Sequence, residues 1–142
     1  MKAFYDTSIL LAAAREDDGR HEASIKVVSA ALPHRDGTAL HCLAEFYATI
    51  TRLPPGFRVS PRRAEQMIEG FRGQLTLVSL TERDYLLTVE EITAKGIVGG
   101  AIYDALIARC ALKFAATRLY TWNTKHFSRF SPELARITRE PD

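Results

Sequence analysis

Acid and amide side chains recur at the ends of apolar segments in this chain. The run from Ala101 to Leu112 follows Gly99-Gly100 and has only Asp104 and Arg109 as strongly polar members. Its length and its Ala and Leu content read as a buried helix. Asp104 then shares a face with Ile107, Ala108 and Ala111, because side chains three, four and seven apart align on a helix. A carboxylate on an apolar face is costly without compensation. Its place in the first turn supplies some, since free N–H groups and the helix dipole favour an acid there. The recurrence of the pattern suggests more. Asp6, Glu45 and Asn123 also sit at the ends of apolar segments, and all four are candidates for one site around a metal.

Taken singly, each residue has an ordinary explanation. Asp6 fits a helix cap, although Ser8 does too. Glu45 fits a solvated helix position, although no Lys or Arg stands three or four residues away to pair with it. Asn123 fits a turn. Together they carry chemistry. Three carboxylates in one cleft repel one another, so a proton or a cation must settle among them. Oxygen ligands without a His or Cys cluster favour Mg²⁺ or Mn²⁺ over zinc. Ions of that kind serve phosphoryl chemistry, and the minimal inference is metal-dependent phosphodiester hydrolysis.

The segments around these residues predict how they are positioned. Lys2–Tyr5 is a short β-prone run that stops at Asp6, and Asp6-Thr7-Ser8 opens a helix over about 9–15. A second helix is expected over 21–32 with Ile25, Val28 and Leu32 on its apolar face. Thr38–Leu40 reads as a strand, leading into a helix over 41–53 with Leu43, Phe46, Tyr47 and Ile50 inward. Pro54-Pro55-Gly56 ends that helix. Ser60-Pro61 restarts the chain with an N-cap and a proline at the first helical position. Leu75–Leu80 fits a buried strand, and Thr81-Glu82-Arg83-Asp84 a capping box for a helix to about Lys95. Arg118–Trp122 is a strand ending at Asn123, and Ala135–Thr138 is read as a last short strand. Strands separated by helices predict an α/β fold with a parallel sheet covered on both faces. In such sheets ligands bind beyond the carboxyl ends of the strands, and a right-handed winding brings Asp6, Glu45, Asp104 and Asn123 to one rim.

Bulk properties fit this picture. With 142 residues, 46% of them hydrophobic and 25% charged, the chain is expected to form a single domain over 1–142 with a real core. The net charge of +2, from 19 basic and 17 acidic residues, neither demands nor excludes a nucleic-acid partner. Cys42 and Cys110 both lie in apolar helical patterns and read as reduced core thiols of a reducing compartment. No apolar run approaches the roughly 20 residues needed to span a bilayer. Asp6 and Arg15 bracket too short an apolar stretch for a signal peptide, so a cytoplasmic protein without membrane attachment is expected.

The segments Phe4-Tyr5-Asp6-Thr7-Ser8-Ile9-Leu10, Leu43-Ala44-Glu45-Phe46-Tyr47, Tyr103-Asp104-Ala105-Leu106-Ile107-Ala108 and Leu119-Tyr120-Thr121-Trp122-Asn123-Thr124-Lys125-His126-Phe127 resemble, in order and over nearly the whole chain, the PIN-domain family. Within it they are similar to the VapC-type toxin ribonucleases of toxin–antitoxin pairs. The resemblance implies a three-layer α/β/α sandwich with a five-stranded parallel sheet and Mg²⁺- or Mn²⁺-dependent endoribonuclease activity. It also implies a homodimer silenced by a small antitoxin whose tail enters the acidic groove. Asp6, Glu45 and Asp104 match the family's three acidic positions. Asn123 falls where many relatives carry a fourth acid, and His126 where some do, departures that lower the negative charge of the site. The roles implied are Asp6 and Asp104 holding the ion, Glu45 orienting or deprotonating the attacking water, and Asn123 completing the shell. Thr7 or Ser8 would position a metal-held water.

Other readings remain open at this level. A PIN-like binding module without turnover would use the same acidic cleft to hold a basic protein segment or an ion. A phosphoacceptor receiver domain also places acids at strand ends, but Leu80-Thr81 offers no acceptor acid. Arg58, Arg62, Arg63 and Arg72 fit either RNA phosphates or a plain solvated helix face, and Trp122 either a stacked base or core.

Overall fold

The structure is a computed structural model that describes residues 1–142. Its elements run β1 (Ala3–Tyr5), α1 (Thr7–Ala14), α2 (His21–Ser29), β2 (Gly37–Ala39), α3 (Leu40–Ile50), α4 (Pro61–Gln74), β3 (Thr76–Val78) and α5 (Glu82–Ala94). They continue as α6 (Ala101–Lys113), β4 (Arg118–Tyr120), α7 (Thr124–Ser128), α8 (Pro132–Ile137) and β5 (Thr138–Arg139). The five strands form one all-parallel sheet in the order β3-β2-β1-β4-β5. The central strand β1 pairs Phe4 with Gly37 on one side and with Leu119 on the other. Successive strand residues face opposite sides of a sheet. Ala3, Phe4 and Tyr5 are nevertheless all buried, so helices cover both faces. The expected α/β/α sandwich is the observed fold.

Local chemistry accounts for most element ends. Ser60 accepts from Arg63 N with Pro61 at the first helical position. Thr81 and Asp84 form the reciprocal capping box of α5. Gly37 answers a steric demand: a Cβ there would lie 2.9 Å from the Thr76 carbonyl oxygen and 3.0 Å from the Phe114 ring. Asp36, just before β2, is a fully buried acid of a different kind. It accepts from Ala3 N, Leu32 N and the Arg35 guanidinium, tying the amino ends of β1 and β2 together far from the expected site.

Four expectations need correction. Residues 135–137 are the last turn of α8, capped by Ser131, and the final strand is only Thr138–Arg139. The helix over 21–32 ends at Ser29, so Leu32 leaves the helical register and is exposed, as is Ile25. Ser24 and Val28 form the buried face of α2 instead. Tyr47 is also exposed. The inward row of α3 is Cys42, Leu43, Phe46 and Ile50, which leaves no inward place for Tyr47.

Candidate active site at the carboxyl ends of β1 and β4

Strand β1 ends one residue before Asp6, whose backbone N–H donates to the Tyr120 carbonyl at 3.1 Å and extends the β1–β4 pairing. The chain then turns into α1 with Asp6 as N-cap. The carboxylate is only 3% exposed. Its Oδ2 accepts from Ser8 Oγ at 2.8 Å, from Thr121 Oγ1 at 2.8 Å and, more weakly, from Ser8 N at 3.4 Å. Each of those hydroxyls also accepts from a backbone amide after β4: Ser8 Oγ from Trp122 N at 3.0 Å and Thr121 Oγ1 from Asn123 N at 3.0 Å. A hydroxyl has one hydrogen to give. With both amides donating to the hydroxyls, both hydroxyl hydrogens are committed to Asp6 Oδ2. The site thus orients Asp6 and leaves Oδ1 outside this network.

Glu45 lies on α3 and is reached from α1, where the Thr7 hydroxyl donates to its Oε1 at 2.9 Å. Its other oxygen, Oε2, stands 3.8 Å from His41 Nε2, one turn earlier on the same helix. That nitrogen is buried and makes no hydrogen bond. Asp104 occupies the first turn of α6, with Ile107, Ala108 and Ala111 buried behind it. Its Oδ2 lies 3.5 Å from Nδ1 of His126, which reaches over from α7.

Electrostatics tie the acids together. Burial pushes the Asp6 carboxyl above the usual carboxylate range, and the Ser8 and Thr121 hydrogen bonds only partly offset it. Asp104 is raised as well, first by burial and then by the negative charges of Asp6 and Glu45, against the pull of His126 and Arg129. The Cys42 thiol, pushed up to about 12 by burial and by the Asp6 charge, is an inert core group. The structure therefore brings Asp6, Glu45 and Asp104 into mutual range. It does not pack them tightly: no three His, Cys, Asp or Glu side chains approach closely enough to hold an ion jointly.

Asn123 sits at the rim. It is exposed, it is the N-cap of α7, and its side chain makes no cap hydrogen bond. Its backbone is fixed by Thr121 Oγ1 and by the bond from His126 N to its carbonyl. Trp122 is half-buried, donates from Nε1 to Ser24 Oγ at 2.9 Å and carries the Arg20 guanidinium over its ring. Arg58, Arg62, Arg63 and Arg72 are all exposed, and Arg72 pairs with Glu69. Thr121 is the site residue that sequence reasoning passed over. It is fully buried in a strand-end position where an apolar residue would otherwise sit, and that polarity was the available signal.

Comparison with known proteins bears on the family and the fold. The family model described as PIN domain matches residues 3–131. Ribonuclease VapC27 of Mycobacterium tuberculosis is 36% identical over 85 residues, 58% of this chain and 60% of that protein, so the match spans less than two thirds of that relative. Ribonuclease VapC40 of the same organism is 28% identical over 116 residues, 82% of each protein. Among solved structures, the M. tuberculosis VapC20 toxin, whose structure is described as that of a sarcin–ricin loop cleaving toxin, superposes with a TM-score of 0.72 at 18% identity. That superposition covers 90% of this chain and 95% of the other. The Rickettsia felis VapBC2 structure, bound to a DNA fragment from its promoter, gives 0.68 at 20% identity over the full length of both chains. At such identities the structural likeness speaks to the fold.

Proposed function

This chain belongs to the PIN-domain family, and on that premise we propose that it is a divalent-metal-dependent endoribonuclease, the toxin of a toxin–antitoxin pair. The observation that carries the reading is Asp6: a buried carboxylate oriented through Oδ2 by the Ser8 and Thr121 hydroxyls, whose charge acts with that of Glu45 on Asp104. Burial disfavours the charged form of Asp6, and burial together with repulsion by Asp6 and Glu45 that of Asp104. A hard divalent cation relieves both costs, so the donor set fits Mg²⁺ or Mn²⁺. No three such side chains cluster closely, so Asp6 and Asp104 would hold the ion together with water, which suits Mg²⁺. When bound, such an ion polarises the phosphate and offsets charge on the leaving oxygen.

The chain's own residues supply the rest. The Thr7 hydroxyl fixes Glu45 Oε1 and leaves Oε2 to orient the attacking water and accept its proton. Ser8 and Thr121 keep Asp6 in one rotamer. His126, against Asp104 Oδ2, offers a hydrogen-bond donor at the rim. Asn123 adds a neutral oxygen donor there. In-line attack by water leaves a 5′-phosphate and a 3′-hydroxyl.

A small antitoxin would insert a basic side chain among the acids, the pairing that such a charge pattern favours. A second copy of the chain would cover the exposed apolar residues of α5, Tyr85, Leu86 and Val89. No helix is long and apolar enough to cross a membrane.

The direct test is cleavage of RNA by the purified protein with Mg²⁺ or Mn²⁺, and its loss with EDTA. Asp6→Asn and Asp104→Asn should abolish cleavage while circular dichroism stays that of the wild type. Equal cutting by either variant would overturn the assignment.

A further inference from the structure

Beside Glu45 lies a depression that the reaction as derived above does not use. It measures about 310 Å³ and is lined by His41, Ala44, Glu45, Ala48 and Tyr103, which puts it at the small end of ligand pockets. His41 and Ala48 lie on α3 on either side of Glu45, and Tyr103 immediately precedes Asp104 on α6. The two aromatic rings are stacked, with centroids 5.5 Å apart and planes only 10° from parallel. Tyr103 is nonetheless 50% exposed. His41 stacks on the phenol, and half of the residue's surface stays exposed beside it. The hydroxyl makes no hydrogen bond within the chain.

We propose that Tyr103, braced by His41, is a stacking platform for a nucleobase of the RNA beside the scissile phosphate. The proposal rests on the ribonuclease reading above and deepens it. Four features point to a flat heterocycle. Tyr103 keeps half of its surface exposed beside the depression, and unpaired RNA bases are recognised by stacking on exposed aromatic rings. The ring is held in place by His41 before any ligand arrives, which lowers the ordering cost of binding. Ala44 and Ala48, one turn apart on α3, have no atoms beyond Cβ and keep the floor open. Glu45, the residue assigned to the attacking water, forms one wall, so a base seated here has its phosphodiester linkage next to the acids. The unpaired phenol hydroxyl is available to a base edge or a 2′-hydroxyl, and stacking itself tolerates any base. Tyr103 and His41 are thus binding and positioning residues.

The test uses full-length protein and a short single-stranded RNA carrying 2-aminopurine at successive positions, with stopped-flow fluorescence and steady-state cleavage in Mn²⁺. One labelled position should be quenched on binding, before cleavage. Tyr103→Ala should remove that quench and raise KM by roughly tenfold, the loss expected for one base–aromatic stack, with kcat changed by less than about twofold. Tyr103→Phe should keep the quench, and His41→Ala should weaken it. Wild-type quenching and KM in Tyr103→Ala would overturn the platform while leaving the nuclease assignment intact. A raised KM accompanied by a change from dimer to monomer in light scattering would assign this face to a second copy of the chain and also overturn it. A wild type that cleaves no RNA with either metal would remove both readings.

Discussion

Thr121 offers the sharpest test of how Asp6 is held. Thr121→Val keeps the side chain's shape in a fully buried position but removes the hydroxyl that donates to Asp6 Oδ2 at 2.8 Å and accepts from Asn123 N at 3.0 Å. A hydrogen bond to a charged acceptor contributes about 1.5–3 kcal/mol, and a neutral one about 1 kcal/mol. The metal-free protein should therefore lose roughly 2–4 kcal/mol at neutral pH, a fall in Tm of about 10 °C for a chain of this size. The first contribution acts on the charged carboxylate alone. Its loss should lift the Asp6 carboxyl, already raised by burial, still further. An acid whose folded pKa lies above its unfolded value adds stability below the ordinary carboxylate range and loses it as pH rises through the raised value. The penalty of Thr121→Val should accordingly shrink at mildly acidic pH and grow toward alkaline pH. Mn²⁺ affinity measured by calorimetry should fall by about tenfold, and Thr121→Ser should restore both quantities. A Thr121→Val protein that melts and binds Mn²⁺ like the wild type would refute the idea that this hydroxyl orients Asp6.

Four further outcomes are expected. Metal-free Asp104→Asn should melt above wild type at alkaline pH, because it removes a carboxyl raised by burial and by Asp6; the gap should close as pH falls toward the ordinary carboxylate value, and a gap independent of pH would refute the coupling. Asn123→Asp, at an exposed rim position, should tighten Mn²⁺ binding a few-fold with almost no change in metal-free Tm, whereas unchanged calorimetric affinity would remove Asn123 from the site. Gly37→Ala should cost about 1–3 kcal/mol in urea unfolding by forcing β2 from β3, with Mn²⁺ affinity unaltered. Leu86→Glu on the exposed face of α5 should yield monomers in light scattering if a second copy covers that face, and an unchanged mass would place any interface elsewhere.

Interactions between residues close in sequence were legible in the sequence. The Ser60-Pro61 start of α4 and the Thr81–Asp84 capping box are determined by side chains reaching backbone groups three residues away, so their spacing is their geometry. The alternation of strand and helix, and the place of Asp6 at the end of the first strand, follow from apolar runs and capping residues in the same way. Register errors appeared where a local pattern had two solutions. Residues 135–137 suit a strand as well as a helical turn, and the Ser131 cap decided for the helix. Tyr47 is apolar enough for a core, but the face α3 buries is set by its neighbours, and Leu32 lies beyond the end of α2.

The site is a tertiary object for the same reason. Asp6 is oriented by Thr121, 115 residues away, and Ser8 by the amide of Trp122, 114 residues away. Those contacts exist because β4, fourth in sequence, lies beside β1 at the centre of the sheet. Glu45 takes its bond from Thr7 across the α1–α3 packing, and His126 meets Asp104 across α6 and α7. Residue types at intervals along the chain determined which groups could do chemistry. Only the order of the strands decided which oxygen is bonded and which stays free, because strand order is the sum of many weak long-range contacts that no local spacing encodes.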